Sequence, residues 1–79
     1  MSGVSELVLM IIRRLVDNPD AVHVNEVDGE MSKIIEVTVD PDDVGKVIGR
    51  QGRTADAIRT IVYAIAGKEK KRTVLQILD

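Results

Sequence analysis

Apolar residues along this chain change period several times, and each change marks an element. Val4, Leu7, Val8, Ile11, Ile12, Leu15 and Val16 recur at three- and four-residue steps, which predicts an amphipathic helix over residues 4–17. Arg13 and Arg14 fall off that stripe. Asn18-Pro19-Asp20 ends the helix, because proline disfavours helical backbone in the residue before it. Val22-His23-Val24-Asn25 alternates and predicts a short strand, and Val27-Asp28-Gly29-Glu30 carries a hairpin-turn signal. Lys33 to Val39 alternates again, with Ile35, Val37 and Val39 on one face and Glu36 and Thr38 on the other. Helical spacing then returns twice. Val44, Val47 and Ile48 share one side of a helix that Asp40 caps and Pro41 opens. Ile58, Ile61, Val62 and Ile65 line a second, which starts at about Arg53. Gly67 is placed to close it as a C′ residue, and Thr73 to Leu78 reads as a final strand. The order is α-β-β-α-α-β. One sheet with helices on one face buries these apolar sides economically, so the class is α+β.

The two central helices meet at a corner, Gly49-Arg50-Gln51-Gly52. Neither glycine has a Cβ, so the backbone there can turn sharply and come close to a ligand. The first turn of the following helix leaves N–H groups without intrahelical partners, and its dipole favours an anion. Arg50 and Arg53 flank the corner, and Lys46 precedes it by one turn. Cations around an exposed, N–H-rich backbone suit a phosphate chain better than a neutral metabolite.

In its context, Val47-Ile48-Gly49-Arg50-Gln51-Gly52-Arg53 resembles the signature of the K-homology (KH) domain, whose G-x-x-G loop clamps about four nucleotides of single-stranded nucleic acid. The rest of the chain resembles the small, single-domain bacterial KH proteins of the KhpA type. That resemblance implies one KH domain over residues 1–79 with the type II fold: a three-stranded mixed sheet, its first two strands antiparallel and its last parallel to one of them. It implies a non-enzymatic protein that binds single-stranded RNA, an RNA chaperone or post-transcriptional regulator. Lys46, Val47, Ile48, Gly49, Arg50, Gln51, Gly52 and Arg53 are the expected RNA contacts. Val47, Ile48 and Ile35 or Val37 would floor a groove between the helix pair and the second strand. The resemblance also implies self-association, or pairing with a second KH protein of the Jag/KhpB type.

Net charge is −2, which looks wrong for a nucleic-acid binder until its distribution is read. Residues 1–43 carry −7 and residues 44–79 carry +5, so the corner sits in the positive half. The one aromatic residue is Tyr63, which argues against a platform of stacked aromatics. The second helix of the pair carries more apolar side chain than a small sheet needs. Ile58, Ile61, Val62 and Ile65 are therefore candidate dimer contacts, with Ile61 foremost. A rival reading follows, in which that helix binds a protein partner and RNA binding is secondary.

Other chemistries find little support. There is no cysteine and one histidine, so thiolate and multi-histidine metal sites are excluded. No G-x-x-x-x-G-K-[ST] loop or H-E-x-x-H helix is present, and no cofactor is expected. Asp42 and Asp43 are adjacent, hence about 100° apart on a helix, and fit a helix start better than a paired-carboxylate site. The longest apolar run, Leu7 to Ile12, is far shorter than the roughly 20 residues of a membrane span, and it lacks the basic flank and small-residue cleavage site of a signal peptide. A cytoplasmic protein is the expectation.

Overall fold

The computed structural model describes residues 2–78. Helix α1 spans Gly3–Leu15, strand β1 His23–Asp28, strand β2 Ser32–Thr38, helix α2 Val44–Ile48, helix α3 Arg53–Ala66 and strand β3 Arg72–Leu78. Single 3-10 turns at Pro19–Ala21, Pro41–Asp43 and Arg50–Gly52 precede β1, α2 and α3. The predicted order holds. Boundaries moved by a few residues: α1 stops at Leu15, and β1 runs through Asp28, so the hairpin turn is closed two residues later, by the Gly29 N–H donating to Ser32 O at 2.8 Å.

The sheet order is β1-β2-β3, with β1–β2 antiparallel and β2–β3 parallel. Parallel strands need a crossover, and here α2, the corner and α3 supply it. Val24 pairs with Val37 and Ile35 with Leu75, so apolar positions from all three strands share one face. Helices α1 and α3 cover that face, α1 beside β1 and α3 beside β3. Val4, Val8 and Ile12 of α1 meet Ile58, Val62 and Ala66 of α3 over Ile35, Val37 and Leu75, and α2 adds Val47. Eleven buried side chains form this one cluster, which is the core of the described residues.

Local chemistry fixes the ends of these elements. Ser2 caps α1 by accepting from the Ser5 N–H at 3.2 Å. Glu26 of β1 accepts from the Ser2 N–H at 2.7 Å and from the Ser5 hydroxyl, tying the helix start to the sheet. Asp40 accepts from the Asp42 N–H at 2.9 Å, the capping role expected of it. Gly67 follows α3, its N–H donating to Tyr63 O at 3.0 Å, but its φ of −59° is ordinary right-handed backbone. The left-handed freedom of glycine is not used there.

The free edge of β3 is partly closed. The Arg72 N–H donates toward β2, to Met31 O, so the alternate residues Thr73, Leu75 and Ile77 turn their main-chain groups outward. At Leu75, α3 meets both groups: the Tyr63 hydroxyl accepts from its N–H at 3.1 Å, and Arg59 Nε donates to its carbonyl at 3.2 Å. These bonds lock α3 along the strand and block strand addition at that point.

Candidate nucleic-acid interface

Helix α2 has five residues and ends abruptly, because the Gly49 N–H closes it on Gly45 O at 2.9 Å and the chain then turns. Gly49 adopts φ 77° and ψ 175°, a region that is essentially glycine's alone. A Cβ placed there would lie 2.6 Å from Thr54 Cβ and 2.9 Å from Thr54 N. Gly52, at φ 75° and ψ 9°, is left-handed as well, yet a Cβ there would meet nothing within 4 Å. The glycines thus do different work: Gly49 admits Thr54 against the backbone, and Gly52 leaves its outer side bare. Between them Gln51 stands at φ 57°, the one non-glycine with positive φ among the described residues.

This backbone presents Arg50 and Gln51 outward, both exposed, with exposed Arg53 beginning α3. Neither arginine has a carboxylate within ion-pair distance among the described residues. No side chain caps the start of α3. Two uncommitted guanidinium groups therefore flank an uncapped helix start and a bare glycine, which suits a phosphate backbone.

Lys46 behaves differently from its neighbours. Its ammonium pairs with Asp17 at 3.1 Å and Asp43 at 3.6 Å. The hydrogen bond and charge of Asp17, together with Asp43, raise its pKa above the ordinary lysine value. Asp43 is buried, 1% exposed, and accepts from the N–H groups of Asp17 at 3.3 Å and Asn18 at 3.0 Å and from the Asn18 amide at 3.2 Å. Burial pushes its pKa up, but those bonds and the Lys46 charge outweigh it and hold the carboxylate below its usual range. Asp43 thereby fastens the loop after α1 to the turn that leads into α2.

Several sequence expectations need correction. Val47, Ile35 and Val37 are fully buried in the core and cannot floor a groove. Strand β2 also lies between β1 and β3, so it has no open edge beside the helix pair. Ile48 is half-buried and stays beside the corner. On α3, Ile58 and Val62 are 5% and 0% exposed and face the core, not a partner. Ile61 and Ile65 are 52% and 42% exposed, and exposed Ala57 and Ala64 flank them.

Sequence reasoning missed the roles of Thr54, Asp43 and Asp17. Thr54 gave no signal, since only the fold brings it against Gly49. Asp43 and Lys46 stand at helical i, i+3 spacing, which could have announced their pairing. Asp17 comes from the loop after α1 and carried no local sign.

A G-x-x-G corner of positive-φ backbone, set between two helices of an α-β-β-α-α-β chain with a mixed three-stranded sheet, defines a type II KH domain. More narrowly, the chain belongs to the KhpA/KhpB family: the family described as "KhpA/KhpB, KH domain" matches residues 5–77. Among curated relatives, the "RNA-binding protein KhpA" of Caldanaerobacter subterraneus subsp. tengcongensis is 62% identical over 73 residues, covering 92% of this chain and 97% of that one. The protein of the same name from Clostridium perfringens is 59% identical over 73 residues, 92% of this chain and 97% of its own. That from Aquifex aeolicus is 51% identical over 79 residues, the full length of both. No solved structure gives a significant match. This is a family of RNA-binding proteins and not an enzyme class. No helix among the described residues is long and apolar enough to cross a membrane.

Proposed function

We propose that this protein binds single-stranded RNA without catalysing a reaction on it, clamping the backbone at Gly49–Gly52. The observation that carries this is the corner itself, where positive φ at Gly49, Gln51 and Gly52 turns the chain so that Arg50 and Arg53 stand uncommitted beside bare backbone. Arg50 and Arg53 supply charge to phosphates, Gln51 an amide for sugar or base, and the peptide groups around Gly52 close approach. Lys46 contributes field more than contact, because Asp17 and Asp43 already hold it. The relatives named as RNA-binding proteins support the same reading. The test is Arg50→Asp with Gln51→Asp, which puts two anions where phosphate should lie.

One corner offers few contacts, so the working form is a homodimer, or a pair with a KhpB/Jag-type KH protein, which raises avidity. The exposed Ile61 and Ile65 on α3 support that contact, and they equally favour a second reading in which protein pairing is primary and RNA binding secondary. The two readings separate by which change, at the corner or at Ile61, abolishes function. Action in the cytoplasm as an RNA chaperone or post-transcriptional regulator follows from the same proposal.

A further inference from the structure

At the far end of α3 from the corner, a cleft of about 520 Å³ opens between the last helical turn and the start of β3. It lies roughly 21 Å from the corner, by the rise of the 14-residue α3. Its volume falls within the range of small-ligand sites. Three features of its lining go together. The first is Tyr63, 39% exposed and the chain's one aromatic ring. The second is charge: Lys71 is committed to Asp28 at 2.8 Å and Glu69 to Lys33 at 3.5 Å, whereas Lys70 and Arg72 have no carboxylate within ion-pair distance among the described residues. The third is Thr73, only 9% exposed, whose hydroxyl is buried without a hydrogen-bond partner.

Thr73 has further unmet groups. It shares the outward phase of Leu75, so its main-chain N–H and C=O point to the free edge of β3. At Leu75 those groups are taken by Tyr63 and Arg59, but no side chain of α3 reaches them at Thr73. Main-chain groups left unpaired at a strand edge gain when a molecule in the cleft bonds them. A flat heterocycle fits this set: its face on the Tyr63 ring, its polar edge on the donor and acceptor of Thr73, its phosphate between Lys70 and Arg72.

We propose that this cleft is a second nucleotide subsite, which takes one base-and-phosphate unit of the single-stranded RNA held at the corner. It rests on the reading of the corner as an RNA clamp. Separation sets the footprint. At 3.4 Å per stacked nucleotide, 21 Å is about six nucleotides, so a tetranucleotide at the corner stops short of the cleft and a decanucleotide reaches it. The rival for Lys68–Arg72 is a solvated loop whose cations merely complement the end of the helix dipole.

Tyr63 reports directly, because the chain has no other tyrosine and no tryptophan. The experiment titrates the full chain with a tetranucleotide and a decanucleotide of mixed sequence, reading affinity and tyrosine emission. A double variant, Lys70→Ala with Arg72→Ala, runs in parallel. Both side chains are exposed, so the variant keeps its fold. The decanucleotide should quench Tyr63 and the tetranucleotide should not. The variant should bind the tetranucleotide like wild type and lose about tenfold on the decanucleotide. Its slope of log K against log salt on the decanucleotide should be shallower by about 1.4, two phosphates at about 0.7 each. Lys70→Arg with Arg72→Lys should restore binding. Because the variant leaves the corner and the α3 face untouched, bridging of two corners by one long strand cannot mimic these results. Unchanged decanucleotide affinity in the variant, or Tyr63 emission indifferent to the decanucleotide, overturns the subsite and leaves the clamp standing. Absence of binding to either RNA by wild type overturns both.

Discussion

Thr54 occupies the space that a side chain at Gly49 would need: a Cβ there would stand 2.6 Å from Thr54 Cβ. Gly52, three residues on, has left-handed backbone but open surroundings. Alanine substitution should therefore separate the two. Gly52→Ala meets only backbone strain and should cost about 1–2 kcal/mol. Gly49→Ala meets an essentially glycine-only conformation and an overpacked contact, and should cost a further ~1–3 kcal/mol. Urea unfolding of both variants measures this. Equal losses would mean that Thr54 gives way freely.

Stability should fall on both sides of neutrality. Hydrogen bonds from the Ser5 hydroxyl and from Ser2 lower the Glu26 pKa from 4.5 to about 2. A carboxylate whose pKa is depressed by folding stabilises above its unfolded pKa, and that contribution fades as pH falls through the folded one. Glu26 should thus weaken the fold progressively between pH 4.5 and about 2, and Asp43 adds its own loss as pH falls from 3.8 through its lowered folded value. Lys46 is raised, so its contribution is complete below 10.5 and is lost as pH rises through the higher folded value. In urea midpoints measured against pH, Glu26→Gln should begin lower at pH 7 and show a flatter acid limb than wild type. Parallel acid limbs would show that Glu26 is not tied to Ser2 and Ser5 in solution.

Salt should report how many cations the corner engages. With Lys46 held by Asp17 and Asp43, only Arg50 and Arg53 are counted, and a tetranucleotide should give a slope of about −1.4. Asp17→Asn loosens that hold, and a slope nearer −2 in this variant would show Lys46 joining the phosphates. A wild-type slope already near −2 would mean that Asp17 yields Lys46 to RNA without help.

Much of this fold is written in local periodicity, and its failures are instructive. Strand alternation placed Ile35 and Val37 on the buried face, and the glycine pair marked the corner. Helix α3 was read with its face turned. The stripe of Ile58, Ile61, Val62 and Ile65 looked continuous, but the buried set is Ala55, Ile58, Val62 and Ala66, rotated by about 50°. Ala55 and Ala66 join Ile58 and Val62 on the packed side, which leaves Ile61 and Ile65 turned to solvent. Alanines lie on both faces of this helix, so hydrophobicity along the sequence did not single out the packed one. The pairing of Lys46 with Asp17 leaves no local sign, because Asp17 reaches it from the loop after α1. The Arg59 and Tyr63 bonds to β3 were invisible, because an edge strand's unmet groups exist only once the sheet order is set.

That rotation sharpens one expectation. Ile61 is 52% exposed, so Ile61→Asp should leave the monomer's stability within about 0.5 kcal/mol. If α3 makes the dimer, the wild type should sediment as a dimer and the variant as a monomer with unchanged helical circular dichroism. A wild type that sediments as a monomer at all concentrations would remove α3 as a self-association surface.

The most direct measurement is RNA affinity of the Arg50→Asp, Gln51→Asp double variant against wild type, with thermal melts alongside. Both side chains are exposed, and aspartate tolerates the left-handed backbone at position 51, so the melts should agree closely. Binding of a short single-stranded oligonucleotide should be lost. A variant that melts like wild type and binds RNA equally well would contradict the clamp at Gly49–Gly52.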